Sequence, residues 1–159
     1  GATGNKATAL CCEEKRIELI ARGVCVRGGK VLICRTRGAA NTYLPGGHVE
    51  FGERARESLR REMREEMGLS FAVGEFLGAV EHSYVRKGRT QHEVNLVFKM
   101  TCRDLRVGVV PEAREDYIEF FWMSMEDLPE SNLEPHPLRN LIPGWVLNPA
   151  LGTRWAGTM

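Results

Sequence analysis

The sequence lacks the features that mark disulfide-stapled and membrane-spanning proteins. Its 159 residues include five cysteines, an odd number, and no two of them form a CxxC pair. A disulfide framework and a zinc knuckle are therefore not expected, and a reducing compartment, the cytoplasm, is predicted. No apolar run approaches the ~20 residues that a membrane-spanning helix needs, so we expect no membrane partner.

An excess of charge of one sign is also missing, because the formal net charge is only +1 at pH 7. No global field therefore points to a nucleic-acid polymer as a partner. Apolar residues make up 43% and charged residues 27% of the chain, which is ordinary for a folded globular protein. At this length we expect one domain with its own core rather than two domains.

Hydrophobic periodicity divides the chain into a lead-in, one domain and a tail. Residues 1–15 show no periodicity and predict a flexible lead-in, residues 16–147 form the domain, and residues 148–159 form a C-terminal tail. Pro143 is expected to interrupt a final helix over 135–147. Runs typical of β-strands cover residues 17–21, 24–26, 31–34, 71–85, 93–102 and 118–123.

One amphipathic helix is predicted over residues 53–67. Its apolar stripe consists of residues four apart, namely Ala55, Leu59, Met63 and Met67. Gly68 follows directly, at the place where a left-handed residue commonly ends a helix. Because strand-like runs precede and follow this helix, the sequence predicts a layered α/β domain.

The same helix carries three glutamates on one face, since Glu62, Glu65 and Glu66 are spaced i, i+3 and i+4. Like charges at that spacing destabilise a helix and raise one another's pKa unless a cation is present. A hard divalent cation such as Mg²⁺ or Mn²⁺ removes this repulsion, and it prefers oxygen ligands. The alternative is a solvated charged face, which is what most glutamate-rich helices present.

The residues around the helix favour the metal site. Residues 47–69 match the pattern G-x5-E-x7-R-E-U-x-E-E-x-G-U at every fixed position, with Met63 and Leu69 as the bulky aliphatic residues U. This pattern resembles the Nudix box, and the preceding Leu44 to Gly46 and the order of strands extend the resemblance over about residues 17–128. The resemblance implies the Nudix fold, a mixed β-sheet sandwiched between helices in an α/β/α arrangement.

The resemblance to the Nudix family also implies a metal centre. Glu65 and Glu66 are expected to be the main metal ligands, and Glu62 either a further ligand or the general base. The carbonyl of Gly46 matches a backbone ligand of the family. The implied cofactor is Mg²⁺, with Mn²⁺ as a substitute.

The activity implied by the resemblance is that of a Mg²⁺-dependent pyrophosphohydrolase. It would cleave a diphosphate linkage in a nucleoside diphosphate derivative or a nucleoside triphosphate, with Glu53 and Arg61 forming an ion pair that orients the catalytic groups. Two alternatives stay open: hydrolysis of a non-nucleotide diphosphate of an isoprenoid or a sugar, and a Nudix-fold binding or regulatory module without catalysis. The intact box argues against the second alternative.

Residues outside the box supply the predicted substrate contacts. Arg35 and Arg37 follow a hairpin strand and Arg86 begins a basic loop, and arginines of this kind grip phosphates or simply lie in solvent. Tyr84 lies at a distance from the box similar to that of a tyrosine in family members that act on diadenosine polyphosphates. The alternative for Tyr84 is a packed aromatic residue in a strand.

An additional acidic metal ligand is expected in the segment just before Trp122. Many members of the family place an acidic ligand or base in this region, and Glu119 is assigned to it, with Glu115 as the alternative. Members of the family are often homodimers, and the sequence leaves the oligomeric state open.

Overall fold

The computed structural model describes residues 14–106, 108–148 and 154–159. Most of the predicted lead-in over residues 1–15 and part of the predicted tail over residues 148–159 lie outside the described residues. The division of the chain into lead-in, domain and tail therefore stays a prediction.

Within the described residues, two β-sheets with eight strands form most of the domain. Seven of these strands coincide with, or extend, the apolar runs predicted to be strands or the glycine turn before the helix. The strands are β1 (Ile17–Val24), β2 (Val26–Arg27), β3 (Lys30–Thr36), β4 (Gly46–His48), β5 (Ala72–Arg86), β6 (Arg89–Thr101), β7 (Ile118–Ser124) and β8 (Trp155–Gly157). The larger sheet has the order β4-β1-β6-β5-β8, and the smaller has the order β2-β3-β7. Because β1 pairs parallel with β6 and antiparallel with β4, the larger sheet is mixed, as predicted.

Two α-helices, α1 (Ala55–Met67) and α2 (Leu138–Leu147), complete the fold together with a short 3-10 helix, Met125–Glu130. The helix α1 ends at Gly68, whose φ of 71° is the left-handed conformation expected there. The expected interruption at Pro143 is wrong, because α2 continues through it. None of the described helices is long and apolar enough to cross a membrane.

The larger sheet separates two cores, each covered by one helix. Successive side chains of a strand point to opposite faces, so Phe98 packs in the core that contains Leu59 and Met63 of α1. The next residue toward the N-terminus, Val97, packs in the core that contains Trp145 of α2. The α/β/α arrangement is thus confirmed, and the apolar stripe of α1 is its buried face.

The strand β8 has no signal in the sequence and lies within the predicted tail. It pairs parallel with β5, with Ala79 opposite Trp155 and Glu81 opposite Gly157. Beyond the strand, Ser83 N donates a hydrogen bond of 3.1 Å to Thr158 Oγ1. A strand this short carries no detectable periodicity, so its conformation depends on the neighbouring strand.

The burial of Trp145 gives a test of the second core. Trp145 is 1% exposed, and Trp145→Ala is expected to lower the free energy of unfolding by about 3–5 kcal/mol because it leaves a cavity. Leu147→Ala is the matched control, since Leu147 lies on the same helix and is 83% exposed. Urea denaturation measures both, and equal losses would contradict the placement of α2.

Candidate active site

A bidentate ion pair ties the loop before α1 to the helix. Arg61 donates from Nε to Glu53 Oε2 at 2.7 Å and from Nη2 to Glu53 Oε1 at 3.0 Å. The same Nη2 donates to the carbonyl of His48 at 3.2 Å. The predicted ion pair is therefore present, and its planar fork fixes the loop in one orientation on the helix.

This ion pair changes the acidity of both partners. The hydrogen bonds from Arg61 lower the pKa of Glu53 to about 2. In return, the hydrogen bonds to Glu53 raise the pKa of Arg61. Glu53 therefore stays charged over the whole range in which the protein works, which suits an orienting role better than proton transfer.

A second carboxylate on α1, that of Glu66, has the opposite environment. Its pKa is raised to about 8, mainly by burial and also by the neighbouring carboxylates of Glu62 and Glu115, against the charge of Arg22. Burial also raises the pKa of Glu62, and Arg61 counteracts this effect. A cluster of buried like charges is the environment that a divalent cation stabilises.

Glu115 reaches this cluster from the loop that precedes β7. The backbone N–H of Arg114 donates to the carbonyl of Glu66 at 2.7 Å, which attaches the loop to the end of α1. Glu115 Oε2 is buried and has no hydrogen-bond partner among the described residues. A hydrogen bond between Glu115 and Tyr117 raises the pKa of Tyr117 to about 12. This oxygen is therefore available to accept a further donor or to bind a cation.

The carboxylates are close together but are not a preformed metal cage. Within residues 14–106, 108–148 and 154–159, no three His, Cys, Asp or Glu side chains converge closely enough to hold an ion as they stand. Arg61 Nη1 lies 3.1 Å from Glu62 Oε1 and 3.3 Å from Glu65 Oε2, so the arginine neutralises both carboxylates. Glu65 is 54% exposed, and its carboxylate has room to turn away from Arg61.

Two glycines of β4 allow the sheet to approach the helix. A Cβ atom on Gly47 would collide with the carboxylate of Glu62, and one on Gly46 would collide with the carbonyl oxygen of Ala21 in β1. Gly46 also has a φ of 143°, a backbone conformation that residues with a side chain rarely adopt. The glycine turn thus places the backbone of Gly46 and Gly47 directly beside the acidic face of α1.

Glu119, predicted to be the extra metal ligand, is paired with two arginines in the structure, and its role as a ligand stays a prediction. Glu119 lies opposite Arg35 in the register of β3 and β7, and Arg35 Nε donates to Glu119 Oε1 at 2.6 Å. Arg37 Nη1 lies 3.7 Å from Glu119 Oε2. The carboxylate of Glu119, fixed in β7, thus meets the guanidinium groups of Arg35 and Arg37. Glu115, in the preceding loop, instead lies beside Glu66.

Arg86, predicted to be a phosphate contact, lies at the end of the β5–β6 hairpin, and its role stays a prediction. Through the register of the larger sheet, Ala79 of β5 lies level with Gly47 of β4. Arg86 is at the far end of β5, about 23 Å along the strand at 3.3 Å per residue. The β5–β6 hairpin extends past the start of β1, so its basic tip lies away from the box glutamates of the same chain.

Tyr84 and Arg22 lie on the sheet face opposite α1. Tyr84 is 37% exposed, and its ring stacks on that of His82 with centroids 5.0 Å apart. Arg22 donates to the carbonyl of Leu44 at 3.0 Å, and its guanidinium lies 5.3 Å from the ring centroid of Tyr43. The sequence analysis did not single out Arg22, although a charged residue at an inward position of an apolar strand was an available signal.

Comparison with known proteins places this arrangement in a family. The family model described as NUDIX domain matches residues 18–143. Isopentenyl-diphosphate Delta-isomerase of Cereibacter sphaeroides is 30% identical over 139 residues, covering 82% of this chain and 76% of that protein. Nucleoside triphosphatase NudI of Escherichia coli is 29% identical over 112 residues, covering 63% of this chain and 77% of that protein.

A solved structure agrees with this assignment at the level of the fold. The MutT NUDIX hydrolase from Burkholderia pseudomallei superimposes with a TM-score of 0.62 at 20% identity, covering 79% of this chain and 96% of that chain. An α/β/α domain with an acidic helix beside a glycine turn is thus the class that the geometry defines. The chain belongs to the NUDIX family.

The two glycines of β4 predict different effects on stability. Gly46→Ala is expected to lower the free energy of unfolding by several kcal/mol, because the new Cβ meets rigid backbone. Gly47→Ala is expected to lower it by less than about 1 kcal/mol, because the carboxylate of Glu62 ends a flexible side chain and can turn aside. Thermal and urea unfolding measure both variants, and a larger loss for Gly47→Ala would contradict the close approach of β4 to β1.

The ion pair between Glu53 and Arg61 predicts a pH-dependent stability. Because the pKa of Glu53 is lowered to about 2 in the folded protein, its contribution is present above the unfolded pKa of ~4.3 and is lost as the pH falls toward 2. Wild type should therefore melt above Glu53→Gln at pH 7, and the two melting temperatures should converge toward pH 2. A gap that stays constant with pH would contradict the ion pair. Glu57→Gln, an exposed change on α1, is the control at pH 7.

Proposed function

We propose that this chain is a metal-dependent hydrolase that cleaves a diphosphate linkage in a nucleoside diphosphate derivative or a nucleoside triphosphate. The observation that carries the proposal is the half-buried carboxyl of Glu66 on the acidic face of α1, where partial burial and the neighbours Glu62 and Glu115 raise its pKa to about 8. Like charges are held together at a cost in free energy, and such strain is typical of functional sites. Membership of the family supports the same activity.

The donor set of the site fits Mg²⁺. Glu62, Glu65 and Glu66 supply carboxylates from one helix, and Glu115 supplies a buried oxygen that has no partner among the described residues. The carbonyl of Gly46 is the proposed backbone ligand. Carboxylate and carbonyl oxygens are the ligands that Mg²⁺ and Mn²⁺ prefer. Mg²⁺ held there supplies charge neutralisation for the diphosphate and lowers the pKa of the attacking water.

The remaining tasks fall to the side chains around the carboxylates. Glu62 is the proposed general base, which takes a proton as the water oxygen bonds to phosphorus and the bridging phosphorus–oxygen bond breaks. Arg61 holds Glu62 through Nη1 at 3.1 Å, and Glu53 holds Arg61 in turn. This chain of ion pairs orients the base, and a fixed orientation is a large part of catalysis in phosphoryl transfer.

Arg37 is the proposed contact for the outer phosphate. Its side chain is 61% exposed while that of Arg35 is 40% exposed, and both share Glu119. A phosphate therefore competes with Glu119 for Arg37 more readily than for Arg35. Tyr84 remains a proposed contact for the organic part of the substrate.

A second candidate function is hydrolysis of a non-nucleotide diphosphate. The specific observation in its favour is the similarity to a relative named isopentenyl-diphosphate Delta-isomerase, which is 30% identical. A module without catalysis is a further alternative, and the intact box residues and their ion pairs argue against it. A panel of nucleoside triphosphates, nucleoside diphosphate derivatives, sugar diphosphates and isopentenyl diphosphate distinguishes these functions by phosphate release.

Metal removal is the first test of the proposal. Phosphate release from the best substrate of the panel is expected to stop in excess chelator and to return with millimolar Mg²⁺ or Mn²⁺, because unneutralised carboxylates repel an anionic substrate. Turnover that survives complete chelation would overturn the assignment. No turnover of any panel member with Mg²⁺ would favour the module without catalysis.

Substitution of Glu66 is the second test. Glu66→Gln keeps the shape of the side chain but removes its charge, and kcat is expected to fall about 10²-fold or more. Without metal, the melting temperature should hold or rise at pH 8 and above, because a buried charge and a like-charge contact are removed. Glu57→Gln, an exposed change on the same helix, is the control and should leave kcat unchanged. Near-normal turnover of Glu66→Gln would show that Glu66 belongs to a solvated face.

A further inference from the structure

A row of polar side chains interrupts the apolar sheet face that packs against α2. Val97 and Val80 on this face belong to the buried core. The same face carries, further along β5 and β6 and on the neighbouring β1, a set of residues that we call the polar floor: Arg22, His82, Tyr84, Glu93 and Asn95. Glu93 is 8% exposed and Asn95 is fully buried. Buried polar groups at the centre of a sheet face need a reason beyond packing.

Asn95 fixes the polar floor by using its hydrogen-bonding groups within the sheet. Its Nδ2 donates to the carbonyl of Val80 at 3.4 Å and to Glu93 Oε1 at 3.2 Å. Its Oδ1 accepts from Arg22 Nε at 3.3 Å. Asn95 therefore connects Arg22 at one end of the polar floor with Glu93 in its middle. Its amide group has little hydrogen-bonding capacity left for a ligand.

Glu93 is the residue of the polar floor that can accept a further hydrogen bond. Its bond to Asn95 uses Oε1, and among the described residues no Arg, Lys or His lies within ion-pair distance of it. A mostly buried carboxylate with one neutral partner is unfavourable unless another donor reaches it. Its second oxygen, Oε2, is thus suited to accept a hydrogen bond from a bound molecule.

Aromatic side chains flank Glu93. His82 lies directly opposite Glu93 in the register of β5 and β6, and its ring stacks on that of Tyr84. Thr158 lies 3.0 Å from His82 Nδ1 and fixes the ring. Burial lowers the pKa of His82, so the ring is neutral near pH 7. Neutral aromatic surface beside an acceptor suits a flat ring that bears a donor.

The polar floor begins beside the proposed reaction centre. Arg22 is close enough to Glu66 for its charge to act on that carboxyl. Glu93 lies three positions along β6 from Leu96, which is level with Gly47, or about 10 Å at 3.3 Å per residue. The charges of Glu134 and His136 act on His82, so the segment before α2 borders the floor. A nucleoside has the length to connect the two places.

We propose that the polar floor binds a nitrogen-containing ring of the substrate, with Glu93 Oε2 accepting a hydrogen bond from an amino group on that ring. The inference rests on the proposed function and deepens it, because it selects nucleotides with an amino-substituted base, namely adenine, cytosine or guanine. A prenyl chain has no donor for Glu93 and would leave its Oε2 without a hydrogen bond from the substrate. Glu93 is thus a specificity-determining residue, remote from the reacting phosphorus.

The test compares adenosine triphosphate with purine riboside triphosphate, which lacks only the 6-amino group. If the panel shows faster turnover of cytidine or guanosine triphosphate, the pair used is cytidine triphosphate with its analogue without the 4-amino group, or guanosine triphosphate with inosine triphosphate, which lacks only the 2-amino group. Wild type is expected to prefer the amino-bearing nucleotide about tenfold or more in kcat/KM, the effect of one hydrogen bond to a charged group. The difference should lie mainly in KM, because the contact is remote from the reaction. Isopentenyl diphosphate should be a poor substrate.

Glu93→Gln completes a double-mutant cycle between the carboxylate and the amino group. In this variant the new side-chain amide can keep the bond from Asn95 through its oxygen, and its N–H₂ group then faces the ring. The preference for the amino-bearing nucleotide should therefore fall to about onefold. Glu81→Gln is the matched control, because Glu81 is the neighbour of His82 on the opposite sheet face, and it should retain the tenfold preference. Equal use of both nucleotides by wild type overturns the inference, as does a preference that survives Glu93→Gln or is lost in Glu81→Gln.

Binding of adenosine monophosphate and purine riboside monophosphate, measured by calorimetry, separates this inference from the proposed function. If no panel member is hydrolysed but wild type binds the amino-bearing monophosphate about tenfold tighter, the proposed function fails and the polar floor stands. If nucleotides are hydrolysed and the two monophosphates bind equally, the proposed function stands and the inference is overturned. Hydrolysis of isopentenyl diphosphate in preference to every nucleotide also overturns it.

Discussion

The ion pair between Arg61 and Glu53 is the interaction on which the arrangement of the site depends. A single guanidinium donates to both oxygens of Glu53, to the carbonyl of His48 and to the carboxylates of Glu62 and Glu65. A lysine offers a compact charge without this planar fork, so it could not satisfy the same set of acceptors. Because the loop and the acidic face of α1 share one cation, the position of the glycine turn and the orientation of Glu62 are set together.

The pKa values of two glutamates in this arrangement, Glu53 and Glu66, are shifted in opposite directions. Glu53 has a pKa of about 2 because Arg61 donates hydrogen bonds to it. Glu66, on α1, has a pKa of about 8, chiefly because its carboxyl is partly removed from water and also because carboxylates lie near it. Pairs of titratable groups whose environments push their pKa values apart are characteristic of sites with divided roles. Here one carboxylate holds the loop on α1, and the other is a proposed ligand of the cation.

The family determines less about the substrate than about the chemistry. The relatives include a protein named for isomerisation of isopentenyl diphosphate and one named as a nucleoside triphosphatase, at nearly equal identity. A shared fold therefore leaves the organic part of the substrate open, since function resides in sites carried by folds. In this chain the groups proposed to distinguish such substrates lie on the opposite face of the larger sheet from α1, and Arg22 connects them to the box.

The sequence by itself determined the local features of α1: its buried stripe and its end at Gly68, with a start predicted two residues before Ala55; the pairing of Glu53 with Arg61 was implied by the resemblance to the Nudix box. These depend on spacing within one helix and its adjoining loop, which the chain fixes without reference to distant residues. Only the tertiary structure decided that Glu115 rather than Glu119 joins the acidic cluster, that Arg86 lies far from it, and that β8 exists. The bond from Arg22 to Asn95 spans 73 residues, and it depends on the pairing register of β1 with β6. A slip of one residue in that register would turn every side chain of the strand to the other face, and no local pattern in the sequence sets it.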